Sequence, residues 1–122
     1  MVAEGLIQYL KAEAVHATLK TVSTEVGQGS WLIFDYAHAS VLRGGGNAYG
    51  QERMMRGVTR FGESWQFGLE EEEVEPLLRR HGFKLLDRQS PRDLEQAYFR
   101  DEAGNLIGKV NATQSIVTAE RI

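Results

Sequence analysis

The side chains best suited to acid–base chemistry follow the most apolar run of the chain. Residues 30–36 read Ser-Trp-Leu-Ile-Phe-Asp-Tyr, which predicts a strand buried on both faces, as in a parallel sheet flanked by helices. Open α/β sheets bind ligands beyond the carboxyl ends of their strands. Asp35 and Tyr36 at the end of this strand, and His38 just beyond it, are therefore candidate site residues. Asp35 and His38 could act as acid and base if they meet, and a turn or capping role is an equal alternative for Asp35.

Other catalytic patterns are missing from the sequence. The three histidines, at positions 16, 38 and 81, are dispersed and lack metal-ligand spacing, and the chain has no cysteine and no Gly-x-Ser-x-Gly motif. We expect His16 on a helix surface and His81 at a helix C-terminus, where a cation complements the helix dipole. Glu70–Glu73 are consecutive, so on a helix they point in different directions and predict a solvated helix start. No metal site is predicted.

An apolar stripe predicts the first helix. Five apolar residues between Lys11 and Val26 are spaced 3, 4, 3 and 4 apart, which places them on one face of a helix: Ala12, Val15, Leu19, Val22 and Val26. Gly27 follows, and we expect it to end the helix in the left-handed conformation.

The stretch from Ala37 to Phe67 predicts no single element apart from a short helix over Gln51–Val58. Loops of this length are uncommon unless they bind or cover a ligand. Gly44–Gly46 lack the flanking Lys-Ser/Thr of a phosphate-binding loop, so we interpret them as a flexible hinge. Three aromatic residues of this stretch could line a site or simply pack, namely Tyr49, Phe61 and Trp65.

Two further helix–strand units follow. A helix is predicted over Glu71–His81, in which Pro76 fits only if the helix begins late, and Gly82 ends it before a strand at Phe83–Asp87. Ser90-Pro91 is typical of a helix start, here running to Phe99. Next come a turn at Asp101–Asn105 and a final strand at Ala112–Arg121. The alternation of helices and strands predicts an α/β fold.

Composition limits the class of protein. A chain of 122 residues with 42% hydrophobic and 25% charged residues is typical of one globular domain. Its net charge of −3 disfavours nucleic acid and anionic membranes as partners. No stretch approaches the ~20 apolar residues of a membrane span, and the N-terminal residues lack a secretory signal, so we expect a cytoplasmic protein.

Three stretches together resemble a known family. They are residues 4–10 (Glu-Gly-Leu-Ile-Gln-Tyr-Leu), residues 34–36 (Phe-Asp-Tyr), and residues 62–69 (Gly-Glu-Ser-Trp-Gln-Phe-Gly-Leu), the last leading through Leu77-Leu78 to His81-Gly82-Phe83. In order and separation they are similar to the C-terminal half of the leucine carboxyl methyltransferase-like family of S-adenosylmethionine-dependent methyltransferases. The resemblance spans nearly the whole chain.

The resemblance implies a fold and a site. Residues 1–122 would be one partial domain, the C-terminal half of a Rossmann-like class I methyltransferase sheet with flanking helices. It would run from the end of the fourth strand to an antiparallel seventh strand. Glu4 would bind the ammonium group of S-adenosylmethionine. Tyr9 would lie near the mouth shared by cofactor and acceptor, with residues 37–67 as a substrate-side loop beside Asp35, Tyr36 and His38.

The family's first three strands, its glycine-rich turn and its ribose-binding acidic residue have no counterpart in the sequence. The resemblance therefore implies part of an O-methyltransferase for a carboxylate or hydroxyl of a small molecule, inactive by itself. Because Met1–Ala3 alone would cover the edge of the strand at Trp31–Phe34, we expect a homo-oligomer or a complementing N-terminal half. The alternative is a non-catalytic α/β module for oligomerisation or partner binding.

Overall fold

The computed structural model describes residues 1–42, 49–53, 56, 65–109 and 112–122. The strands of these residues are β1 (Val2–Ala3), β2 (Trp31–His38), β3 (Gly68–Leu69), β4 (Phe83–Gln89) and β5 (Gln114–Arg121). The α-helices with described bounds are α1 (Ala12–Glu25), α2 (Ala39–Leu42), α3 (Val74–Arg80) and α4 (Pro91–Tyr98). Two 3-10 turns precede α1 and α3, at Ile7–Tyr9 and Glu71–Glu73. The predicted α/β fold is confirmed.

The strands form one mixed sheet in the order β1-β2-β5-β4. β1 pairs in parallel with β2, with Val2 opposite Ile33 and Ala3 opposite Phe34. β3 pairs in parallel with the far end of β2. The last strand, β5, lies between β2 and β4 and pairs with both of them. It is antiparallel to them, as the resemblance implied for the final strand.

Helices α1 and α3 cover one face of the sheet, which we call the helix-covered face. Its core residues in β2 are Leu32, Phe34 and Tyr36, which lie opposite Ala119, Val117 and Ser115 of β5. Val15 and Leu19 of α1, and Val74, Leu77 and Leu78 of α3, complete the same core. Alternation of side chains along a strand then places the intervening residues on the opposite face.

The opposite face, which we call the open face, is only partly buried. Trp31 is 57% exposed and Ile116 is 37% exposed, while Ile33 and Asp35 are half-buried. The prediction that this strand is buried on both faces is therefore wrong, because α1 and α3 both pack on the same side of the sheet. β2 is also longer than predicted and extends to His38.

Helix α1 ends where predicted, with Val26 as its extended C-cap residue just before Gly27, but the conformation of Gly27 differs from the prediction. The left-handed residue of this turn is Gly29 at φ +88°, and its N–H donates to the carbonyl of Arg121. Gly27 therefore lacks the left-handed conformation that was expected of it.

The other predicted helix boundaries agree well with the structure. α3 begins at Val74, so Pro76 lies in its first turn, where the missing N–H costs no hydrogen bond. Glu70 and Glu73 form a capping box before it. Ser90 caps α4 by accepting from the N–H of Asp93 at 3.1 Å. Residues 51–53 are helical, as expected for part of Gln51–Val58, whereas the proposed hinge at Gly44–Gly46 and Phe61 lie outside the described residues.

Two glycines give a matched test of the turns. Gly82 has φ +82°, and an added Cβ would meet the Arg121 Nη1 atom at 2.7 Å. Gly27 has an ordinary φ and open space around it. We expect Gly82→Ala to lower the free energy of unfolding by ~1–2 kcal/mol because a Cβ is strained at this φ.

Gly27→Ala is the control and should change the free energy of unfolding by no more than ~0.5 kcal/mol. Urea denaturation followed by circular dichroism measures both variants. Equal losses in the two variants would contradict the assignment of Gly82 as the residue that requires the left-handed conformation.

Candidate functional site

The carboxyl ends of β1 and β2 lie side by side because the two strands are parallel. Glu4 and Gly5 follow β1 directly, and Glu4 is exposed. The Gly5 N–H donates to Asp35 Oδ1 at 2.8 Å, and Gly5 adopts φ +62° to make this turn. Asp35 Oδ2 accepts from Gln114 Nε2 at 3.3 Å. Asp35 therefore holds the turn after β1 against β2 and β5.

Asp35 and Tyr36 were predicted to end the strand, but they lie inside it because β2 continues to His38. Asp35 points to the open face, and of its two predicted roles the structure supports the turn role. Tyr36 points to the helix-covered face and is only 1% exposed, so its ring packs in the core. Its hydroxyl accepts from Arg88 Nη1 at 3.5 Å, and Arg88 also pairs with Glu71.

His38, the last residue of β2, is held by two hydrogen bonds. Its Nε2 lies 2.7 Å from Ser115 Oγ, and the ring also bonds the Ala112 carbonyl. A carbonyl only accepts, so the ring donates to Ala112 and its Nε2 accepts the Ser115 hydroxyl proton. Burial lowers the pKa of the His38 imidazole below 6.5, and the Arg88 guanidinium lowers it further. The ring is therefore neutral at pH 7.

The structure does not form an acid–base pair from Asp35 and His38. They lie on opposite faces of β2, and each has its own partners. His38 instead shares the helix-covered side with Tyr36, and the two ring centroids are 5.9 Å apart. Since both ring nitrogens of His38 are bonded, the imidazole can accept a proton from a bound molecule only after releasing Ser115.

Tyr9 packs beside the same end of the sheet. Its ring meets Trp65 edge-on at 6.4 Å, and both belong to a small apolar cluster with Ala37 and Val41. The carbonyl of Gln8 accepts from the N–H groups of Gln66 and Phe67, which fastens the Ile7–Tyr9 turn to the segment before β3. Of the two roles predicted for Trp65, lining a site or packing, the structure shows packing. Tyr49, in contrast, is 56% exposed.

Sequence analysis missed two buried polar atoms in this region. The Gln8 Oε1 and Trp65 Nε1 atoms are buried and have no hydrogen-bond partner among the described residues. It also missed Ser115, which the alternation of β5 places on the buried face, where its hydroxyl needs a partner. That alternation was the one available signal, because a partner 77 residues away has no local pattern.

The three histidines are dispersed in the sequence, but the fold brings two of them together. His16 on α1 and His81 at the end of α3 approach each other, with His16 Nδ1 and His81 Nε2 2.8 Å apart. Burial lowers the pKa of the His81 imidazole, and the neighbouring His16 and Arg80 lower it further. In the described part of the chain, no three or more metal-ligating side chains gather.

A separate groove of about 700 Å³ lies between α3 and β4. None of the predicted site residues lines it, and its charged groups are largely satisfied by each other. Arg79 pairs with Glu75 at 3.0 Å, and Arg88 pairs with Glu71. We therefore place the candidate site at the carboxyl ends of β1 and β2 rather than in this groove. Among the described helices, none is long and apolar enough to cross a membrane.

Comparisons with known proteins point to one class of enzyme. No protein-family model matches the chain. YktD of Bacillus subtilis (strain 168), assigned as an S-adenosyl-L-methionine-dependent methyltransferase, is 26% identical over 102 residues, which are 84% of this chain and 34% of YktD. The chain thus spans about a third of this relative.

Solved structures share the fold at low identity. A duf574 family protein from Streptomyces avermitilis matches with a TM-score of 0.65 and 13% identity over 99% of this chain and 43% of its own. NcsB1, an O-methyltransferase from neocarzinostatin biosynthesis solved with S-adenosylmethionine and 2-hydroxy-5-methyl naphthoic acid, matches with a TM-score of 0.53 and 16% identity over 99% of this chain and 28% of its own. The chain has the fold of part of an S-adenosylmethionine-dependent methyltransferase.

The environment of His38 predicts how the protein responds to acid. The pKa of His38 is lower in the folded chain than in the unfolded chain, where it has its ordinary value of 6.5. As the pH drops through 6.5, the unfolded chain therefore binds a proton that the folded chain does not. The contribution of His38 to stability falls accordingly. We expect the NMR signal of the His38 ring to titrate with a midpoint below 6.5. A midpoint at or above 6.5 would contradict the buried, neutral ring. His38→Gln, which removes this group, identifies its signal.

Proposed function

We propose that this chain supplies part of an S-adenosylmethionine-dependent O-methyltransferase of the leucine carboxyl methyltransferase-like kind, acting on a carboxylate or hydroxyl of a small molecule. The observation that carries the proposal is the parallel β1–β2 pair, closed at its carboxyl end by the Gly5–Asp35 hydrogen bond, with the last strand antiparallel beyond it. This is the edge at which α/β folds bind ligands. The methyltransferases that share the fold support the same reading.

The residues present fit one end of S-adenosylmethionine. When bound, the cofactor supplies a methyl group on a positively charged sulfur. The Glu4 carboxylate stands exposed at the end of β1, where Gly5 fixes the turn, and a carboxylate there suits the ammonium group of the cofactor. The described residues include no glycine-rich turn beside a parallel strand that could approach the rest of the cofactor.

On the acceptor side, we propose two kinds of role for the predicted residues. Tyr9 and His38 would face the acceptor, since Tyr9 is half-buried at the end of the sheet and His38 ends β2. Asp35 would position the turn that carries Glu4, and Tyr36 would support His38 from the core. Methyl transfer depends mainly on holding donor and acceptor in line, so positioning residues suffice for much of the rate.

We further propose that activity requires more sheet than this chain provides. β1 has two residues and pairs, among the described strands, with β2 alone, and Val2 is 68% exposed. The open face adds Trp31 and Ile116 to the exposed apolar surface. A sheet edge and an apolar face of this kind favour pairing with further strands and helices. These could come from a longer polypeptide, a complementing N-terminal half or a second copy of the chain.

The same surface favours the alternative function, a non-catalytic module that oligomerises or binds a partner. Titration with S-adenosylmethionine in a calorimeter separates the two functions. A completed protein, in which this chain is joined to the rest of the sheet, should bind with a Kd tighter than ~100 µM, or about −5.5 kcal/mol. No binding by any completed form would favour the non-catalytic module.

Glu4 offers a direct test of cofactor binding. We expect Glu4→Gln to raise the Kd for S-adenosylmethionine of the completed protein by about 10- to 150-fold, because a charge-assisted hydrogen bond is lost. Glu13→Gln is the control, since Glu13 is also exposed but lies in the first turn of α1. The same Kd in both variants would show that Glu4 does not contact the cofactor.

The open edge of β1 predicts self-association of the chain alone. Sedimentation equilibrium at micromolar concentration should give a mass of at least twice 13.7 kDa. Val2→Lys should shift the chain toward monomer because a charge on an edge strand opposes pairing, whereas Val2→Thr keeps the β-branched shape and should not. A 13.7 kDa monomer that binds no apolar dye would contradict the proposal.

A further inference from the structure

The contact between His16 and His81 joins two elements that are far apart in sequence. The residues are 65 positions apart, and their facing nitrogens, His16 Nδ1 and His81 Nε2, are 2.8 Å apart. The ring centroids are 5.1 Å apart and the ring planes are tilted by 44°. Both residues are half-buried, so part of each side chain is accessible to water.

Both histidines stand on well-anchored elements. Val15, the neighbour of His16, is 1% exposed in the core, and Leu78 near the end of α3 is fully buried. Arg121 ties the two elements together, since its Nε donates to the carbonyl of Ser23 on α1 and its Nη1 donates to the carbonyl of Gly82. The separation of the two imidazoles is therefore set by the packing of α1 against the α3–β4 turn.

The distance between the two nitrogens suits a shared metal ion. With metal–nitrogen bonds of ~2.0–2.1 Å, two imidazoles at a right angle place their nitrogens ~2.9 Å apart, and tetrahedral geometry places them ~3.3 Å apart. The observed 2.8 Å is close to the right-angle value, although the two nitrogens now point at each other as in a hydrogen bond and both rings must turn to bind one ion. The two lone pairs must also converge, which rotation about the soft χ2 torsions allows.

We propose that His16 Nδ1 and His81 Nε2 form a two-ligand site for a late first-row divalent ion, Ni²⁺, Cu²⁺ or Zn²⁺, with water in the remaining positions. The site does not depend on the proposed methyltransferase function. In the hydrogen bond one ring holds its proton on the facing nitrogen. Metal binding moves that proton to the other nitrogen of the same ring, so both facing lone pairs become available and the net proton count of two neutral rings is unchanged.

The surroundings of the two histidines determine the affinity for the metal ion and the effect of its binding on stability. The described residues supply two protein ligands, and the Arg80 guanidinium lies near His81, so the affinity should be moderate. Imidazole nitrogen selects Ni²⁺, Cu²⁺ and Zn²⁺ over Mg²⁺ and Ca²⁺. An ion held by both rings would clamp α1 to the end of α3 and stabilise the folded chain in proportion to its concentration.

Calorimetric titration of the untagged chain with NiCl₂ at pH 7.5 tests the site. We expect one ion per chain with a Kd below ~100 µM, and a loss of at least 10-fold in affinity for both His16→Ala and His81→Ala. His38→Gln also leaves two histidines in the chain, so it is the matched control and should bind as the unaltered chain does. Unchanged affinity in either alanine variant overturns the proposal, and so does a titration that does not saturate at ~1 mM NiCl₂, about tenfold above the ~100 µM limit.

A second measurement on the unaltered chain keeps the proposal testable if a variant fails to fold. Addition of ZnCl₂ should shift the NMR ring signals of His16 and His81 together and leave those of His38 in place. MgCl₂ at the same concentration should shift none of them. Movement of His38 alone, or of only one member of the pair, would contradict a shared ion.

Discussion

The hydrogen-bonding capacity of β1 constrains the rest of this structure. A two-residue strand offers backbone groups on two sides, and the described part of the chain pairs them with β2 on one side only. The two faces of the sheet are also covered unequally, since α1 and α3 bury one face while Trp31 remains 57% exposed on the other. The edge of β1 and the open face meet at the N-terminal half of β2, and it is at this corner that we propose further protein packs.

The candidate site lies at the carboxyl ends of β1 and β2. Its hydrogen-bonded part comprises the Glu4-Gly5 turn, held by Asp35, and His38, held by Ser115 and Ala112. Asp35 and His38 are not arranged to transfer a proton between them. They lie on opposite faces of β2, and the polar atoms of each are hydrogen-bonded to other groups of the protein. A rigid site of this kind suits a reaction whose rate depends on the alignment of donor and acceptor, such as methyl transfer from sulfur to oxygen. It suits a reaction that depends on acid–base catalysis less well.

Sequence reasoning predicted what local patterns control. The apolar stripe predicted α1 to within a residue at each end, and Ser90-Pro91 predicted the start of α4, because both are set by residues three or four positions apart. Long-range partners were missed. Asp35 meets Gly5 across 30 residues, and His16 meets His81 across 65, and no periodicity reports such approaches. The burial of β2 was overestimated because its composition does not tell which side the helices occupy.

Cross-linking of the cofactor tests the central claim, that Glu4 and the carboxyl end of β1 form part of an S-adenosylmethionine site. The completed protein is irradiated with S-adenosylmethionine carrying a labelled methyl group, and the labelled peptides are mapped by mass spectrometry. The structure predicts label on the peptide that contains Glu4 to Tyr9, and loss of that label when unlabelled S-adenosylhomocysteine competes. Saturable label confined to other parts of the protein would contradict the assignment of this end of the sheet as the cofactor site.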